Sequence, residues 1–127
     1  MSPEKEKELI DIYPDLFDEK FFCFECHDGW FELLKKLITQ IKQFCESPQF
    51  ENPLTIDDKP LELKVTQIKE KYGTLRFYTN YFNSFIETVV EEACHSSKTT
   101  CEVCGNPGTL TRKNFYWSVR CKDCETT

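Results

Sequence analysis

The chain has 127 residues, 39% apolar, 14% aromatic and 30% charged, with a net charge of −6. That is the size of one domain, and so many rings exclude a globally disordered chain. The longest apolar runs are only a few residues, as at Phe21–Phe24, and four glycines and two histidines are present. No bilayer-spanning segment, Gly-rich phosphate loop or His-rich metalloenzyme site is expected from these. The charged start Met1–Lys7 lacks the apolar stretch of a secretory signal, so the expected location is the cytoplasm.

In chain order, Ser2 is placed to cap a first helix, with Pro3 at its opening position and Tyr13-Pro14 ending it. Residues 15–20 read as polar linker. Asp28 reads as the cap of a long helix over 29–46, whose Trp30, Leu34, Leu37, Ile38, Ile41, Phe44 and Cys45 recur at helical spacing. Ser47-Pro48 stops it, and the prolines at 48, 53 and 60 predict a long loop. A hairpin over 61–79 follows. Leu61, Leu63 and Val65 alternate with polar residues, 69–73 supply the turn, and Leu75 and Phe77 alternate again. Ile68 breaks the alternation, which points to a bulge or to packing under the turn. A last helix over 80–96 presents Phe82, Phe85, Ile86, Val89, Val90 and Ala93 on one side.

Residues 101–124 carry Cys101-Glu102-Val103-Cys104 and Cys121-Lys122-Asp123-Cys124, separated by 16 residues. Each Cys-x-x-Cys turn sets two thiolates on one edge of a tetrahedron, so the pair predicts a single four-cysteine zinc site. Disulfides are the competing use, but a reducing compartment disfavours them. Residues 108–112 and 115–120 can pair as a hairpin around Lys113-Asn114, which makes the unit a zinc ribbon. Four thiolates leave no open coordination position, so the metal is expected to be structural.

Cys23, Cys26, Cys45 and Cys94 remain, with His27 and His95 beside two of them. A second zinc on Cys23, Cys26 and two of the others is one reading. Burial as small apolar side chains is the favoured one for Cys45 and Cys94, because each continues its helix's apolar side. A redox role for Cys23 and Cys26 lacks the surrounding βαβ unit.

The expected fold class is α+β. A small antiparallel sheet with helices packed on one face forms a body over 1–97, and a four-cysteine zinc ribbon occupies 98–127. The alternation leaves Lys64, Thr66, Arg76 and Tyr78 on the open sheet face. With Arg112 and Trp117 of the ribbon, Lys64, Arg76 and Tyr78 form the candidate partner surface. Residues 98–127 carry five basic and three acidic side chains, a net of +2, which leaves −8 on residues 1–97.

Three blocks carry a resemblance: Phe24-Glu25-Cys26-His27-Asp28-Gly29-Trp30, the run Gln67–Tyr78, and Cys101–Gly108. Together they resemble small, largely uncharacterised zinc-ribbon accessory proteins of tailed bacteriophages, over residue 22 to the C-terminus. His27 stands where that pattern has Gly. The resemblance implies an accessory protein working in an infected bacterium and supplies no catalytic residues. The expectation is therefore a non-enzymatic interaction protein that binds and inhibits a host defence or regulatory protein. A nucleic-acid-binding module using the ribbon and the basic hairpin face is the alternative.

Overall fold

The computed structural model describes residues 1–21, 23–47, 55–56, 59–60 and 62–125. Phe22, Leu61 and the Pro48–Pro53 part of the expected loop lie outside the described residues. Helix α1 spans Pro3–Ile12, with the Ser2 hydroxyl accepting the Lys5 N–H and Pro3 in the first turn. Its Leu9 is fully buried. The stretch expected to be polar linker is partly core. Residues 14–16 form a 3-10 turn that buries Leu16 completely, and the Phe17 ring meets Phe21 edge-on at 4.9 Å. Two apolar residues among polar ones carry no periodicity, so this role was hidden from pattern reading.

Strand β1, Phe24–Glu25, runs parallel to a later strand, with Phe24 opposite Ile68 and Glu25 opposite Lys69. The sheet is therefore mixed rather than antiparallel. A parallel neighbour needs a crossover of a dozen or more residues, and the long helix with the chain after it supplies one. That helix, α2, spans Phe31–Cys45 and buries Phe31, Leu34, Leu37, Ile38 and Ile41. It starts two residues later than expected, because residues 28–30 form a 3-10 turn. Asp28 does not cap it. Its carboxylate instead accepts the Ser2 N–H at 2.8 Å, which ties α1 to the α2 entrance.

Within the expected loop, β2 (Thr55–Ile56) and β3 (Lys59–Pro60) form a two-residue antiparallel pair. Strands β4 (Val65–Lys71) and β5 (Thr74–Thr79) make the main hairpin, so the mixed sheet has the order β1-β4-β5. The turn is shorter than expected. Lys69, Glu70 and Lys71 are ladder residues opposite Arg76, Leu75 and Thr74, and only Tyr72 and Gly73 turn, both at positive φ. Charged residues on an open strand face look like a turn when one sequence is read alone. The pairing steps from Val65 opposite Thr79 to Gln67 opposite Tyr78, so Thr66 is the extra residue of a bulge. The bulge resets the alternation and puts Ile68 in the core opposite Phe77.

Helix α3 spans Ser84–Ser97, with the Asn83 side chain accepting the Ile86 N–H at 2.9 Å. It begins four residues later than expected, and Phe82 stands outside it, exposed. Asn80 is used elsewhere: its side chain accepts the Lys64 N–H and donates to the Glu62 carbonyl. Helix α3 packs along β5, α2 against α3, and α1 against α2. Trp30, Leu34, Ile38, Phe77 and Val89 are buried, while Phe85 is half-buried and stacks on Phe44 at 4.1 Å. Among the described residues, no helix is long and apolar enough to cross a membrane.

Leu34 is fully enclosed, so Leu34→Ala should lower unfolding free energy by about 2–5 kcal/mol in chemical denaturation. A loss under about 0.5 kcal/mol, typical of a surface substitution, would contradict this packing.

Candidate metal centre

Strands β6 (Thr109–Lys113) and β7 (Tyr116–Arg120) pair antiparallel from Thr109 opposite Arg120 to Lys113 opposite Tyr116. The turn is Asn114-Phe115, one residue later than expected, with φ of 53° and 71°. This pairing brings the chain after Cys104 beside the chain before Cys121. The first knuckle closes by the Gly105 N–H donating to the Cys101 carbonyl at 2.9 Å, with Gly105 at a φ of 84° that glycine tolerates without cost. The second closes by the Cys124 and Glu125 N–H groups donating to the Cys121 carbonyl at 3.1 and 2.9 Å.

The four sulfurs of Cys101, Cys104, Cys121 and Cys124 lie within 4.8 Å of one another, and Cys104 Sγ is 3.5 Å from Cys121 Sγ. A tetrahedron with metal–sulfur bonds of about 2.3 Å has edges of about 3.8 Å, so the cluster has the dimensions to hold one metal ion. Burial pushes the Cys101 thiol up, but backbone N–H groups of Cys104, Cys121 and Val103 outweigh it and bring it down to about 6. Cys124 is pushed up to about 12, chiefly by its hydrogen bond with Cys121 and then by burial. Cys101 is thus held toward its thiolate, while the Cys104 and Cys124 thiols resist ionising. A divalent ion removes that resistance, because its charge stabilises every thiolate at once.

The first knuckle is joined to the rest of the protein at Gly29. The Gly29 N–H donates to the Glu102 carbonyl at 2.7 Å, and a Cβ on Gly29 would lie 2.1 Å from the Cys101 carbonyl oxygen. Beside it, the Trp30 indole N–H donates to the Thr100 carbonyl at 3.0 Å. The Glu102 carboxylate is buried and accepts the His27 N–H at 3.1 Å, and burial pushes its pKa up. Sequence reading missed Glu102 because it appears there as a spacer within the Cys-x-x-Cys turn.

The remaining cysteines are dispersed. Among the described residues, no other group of three or more metal-binding side chains converges. Cys26 is buried and its thiol is pushed up to about 12, first by burial and then by Glu102. Cys45 shares a hydrogen bond with Tyr13, and Cys23 and Cys94 are half-buried. His27 and His95 are exposed.

The expected partner residues divide into two sets. Lys64 is taken up elsewhere, its ammonium donating to the Asp15 carbonyl and lying 3.6 Å from Glu62. Lys64 stands before the Thr66 bulge and exchanges hydrogen bonds with Asn80 rather than pairing with Arg76. Gln67 and Lys69 stand opposite Tyr78 and Arg76 instead, with the Lys69 ammonium 6.0 Å from the centre of the Tyr78 ring. Arg76 is half-buried, and its buried Nε has no hydrogen-bond partner. Arg112 and Trp117 are exposed and opposite one another in the β6–β7 ladder. The Tyr72-Gly73 turn abuts that ladder, since a Cβ on Gly73 would lie 3.0 Å from Ser118 N and 3.1 Å from the Trp117 carbonyl carbon.

No family model matches the chain, and no curated protein or solved structure is significantly similar to it.

Proposed function

We propose that this chain is a non-enzymatic interaction protein stabilised by one structural zinc ion. In this reading residues 1–97 form the body and 98–127 a zinc ribbon, with Cys101, Cys104, Cys121 and Cys124 as ligands. A cytoplasmic, phage-encoded accessory protein of an infected bacterium is the setting that the sequence resemblance supports. Zinc suits an all-thiolate tetrahedral donor set, and four such ligands leave no position for water or substrate. The helices are taken to cover one face of the sheet, which leaves the other for binding.

The observation that carries the reading is the surface of the two abutting hairpins. Tyr72, Tyr78, Phe115, Tyr116 and Trp117 are all exposed there, interleaved with Lys69, Lys71, Arg76 and Arg112. Side chains of these types dominate binding hot spots, because rings and guanidinium groups give large contact area and several donors. A host defence or regulatory protein with an acidic face would fit this surface. Nucleic acid is the second reading, favoured by cations that stand next to exposed rings.

The test uses full-length tagged protein in bacterial lysate, with and without nuclease. Whatever wild type retains should be lost with Arg76→Ala/Arg112→Ala and kept with Glu4→Lys/Glu8→Lys, which alters only exposed acids of α1. Loss confined to the α1 variant would contradict the hairpin surface.

A further inference from the structure

Both hairpin tips hold an aromatic residue in a conformation that aromatic side chains seldom adopt. Tyr72 sits at φ 53° and Phe115 at φ 71°, and among the described residues only Asn114 joins them as a non-glycine at positive φ. Two-residue hairpin turns of this kind ordinarily use Asn and Gly, which enter the left-handed region cheaply. A bulky ring there is strained, and such strain concentrates where function requires it. The fold gains no burial in return: Phe115 is 86% and Tyr72 68% exposed.

Each ring also has a cation beside it. The Lys71 ammonium is 5.7 Å from the centre of the Tyr72 ring, and the Arg112 guanidinium 5.5 Å from that of Phe115. Among the described residues, the ion pairs use Lys7, Lys42 and Lys64, so these hairpin cations have no carboxylate partner. Charge is segregated accordingly. Residues 65–79 and 109–120 hold six basic side chains against one acidic, a net of +5, which leaves −11 on the rest of the chain. The exposed large apolar side chains are Tyr, Phe and Trp, with Val103 the one aliphatic among those described.

We propose that the two hairpin tips bind single-stranded nucleic acid, with bases stacked on Tyr72 and Phe115 and phosphates on Lys69, Lys71, Arg76 and Arg112. The proposal rests on the hairpin pair being the working surface and takes the second of its two readings, in which nucleic acid rather than a protein occupies it. An acidic protein segment would use the cations, but it offers π-faces to the strained rings only where it also carries aromatic side chains. Single strands offer both, spaced along one chain, and ring stacking is tolerant of base identity. A duplex hides its base faces and presents only phosphates.

Zinc-loaded full-length protein titrated against fluorescein-labelled (dT)20, (rU)20 and a 20-base-pair duplex tests this by anisotropy. Single strands should bind at least tenfold tighter than the duplex, with a log K against log salt slope of about −2 to −3, as three or four phosphate contacts require. Tyr72→Asn and Phe115→Gly should each weaken strand binding about tenfold while leaving the fold as stable or more so, since both relieve the turn. Phe115→Trp, which keeps a ring at the tip, should retain binding. Equal binding of duplex and strand, or unchanged affinity in both ring variants, would overturn the proposal. If (dT)20 fails while poly-glutamate binds in a way that Arg76→Ala/Arg112→Ala abolishes, the nucleic-acid assignment falls and the surface stands. Strand binding that survives the ring and arginine variants alike would remove both.

Discussion

Replacing Cys101 by Ser is expected to release the metal and unfold residues 98–125, the largest effect of any single substitution in this chain. Cys101 is the buried member of the cluster, and backbone N–H groups of Cys104, Cys121 and Val103 bring its thiol down. A serine hydroxyl at that corner does not ionise and cannot replace the thiolate. The segment around it has Val119 as a buried aliphatic and little else of its own to bury, so a bound metal would supply most of its folding free energy. Structural zinc in small domains is worth about 10–16 kcal/mol, so a lost ligand outweighs any repacking. Metal content after dialysis should fall from one ion per chain to near zero, and the amides of residues 98–125 should lose their protection from hydrogen exchange. Full metal retention in Cys101→Ser would refute the ligand assignment.

Gly29→Ala should be nearly as damaging, although it changes one hydrogen to a methyl group. The added carbon would sit 2.1 Å from the Cys101 carbonyl oxygen and 2.4 Å from the Glu102 carbonyl carbon, both backbone atoms. Neither can rotate away, so the knuckle must lift from the α2 entrance. That movement breaks the 2.7 Å bond from the Gly29 N–H to the Glu102 carbonyl and disturbs the indole bond of Trp30 to Thr100. A destabilisation above about 4 kcal/mol is expected, the range reserved for backbone clashes and disrupted cores. Denaturation of zinc-loaded Gly29→Ala measures it, and a change below about 1 kcal/mol would show that the knuckle is not wedged against α2. The same variant should lose zinc to a chelator faster than wild type, since its knuckle has lost its support.

How much of this was legible in the sequence differs by element. The clustering of Cys101, Cys104, Cys121 and Cys124 was readable because two Cys-x-x-Cys turns leave little freedom in where their sulfurs meet. Helix α2 was readable because Leu34, Leu37, Ile38 and Ile41, all buried, recur at three- and four-residue spacing. The cap role of Asp28 was misread, since its carboxylate meets Ser2, 26 residues away, and no local rule includes such a partner. Strand β1 was invisible because two residues hold no period and its neighbour is supplied by a crossover. The broken alternation at Ile68 reads as a bulge or as packing under the turn; the bulge stands at Thr66 and brings Lys69 to the face of Arg76 and Tyr78. Charge summed over sequence segments puts −8 on residues 1–97, because the acids of α1 and α3 fall in the same sum as the basic hairpin face. Tyr72 and Phe115 were overlooked for a related reason. Glycine after Tyr72 signals a tight turn, but only the pairing register identifies which residues stand at its tip.

X-ray absorption at the zinc edge of the purified full-length chain tests the central claim, a closed four-thiolate centre, most directly. The expected spectrum is fitted by four sulfur atoms at about 2.3 Å, with no lighter atom in the shell. A shell containing nitrogen or oxygen, or a metal-free chain whose mass reveals two disulfides, would contradict it.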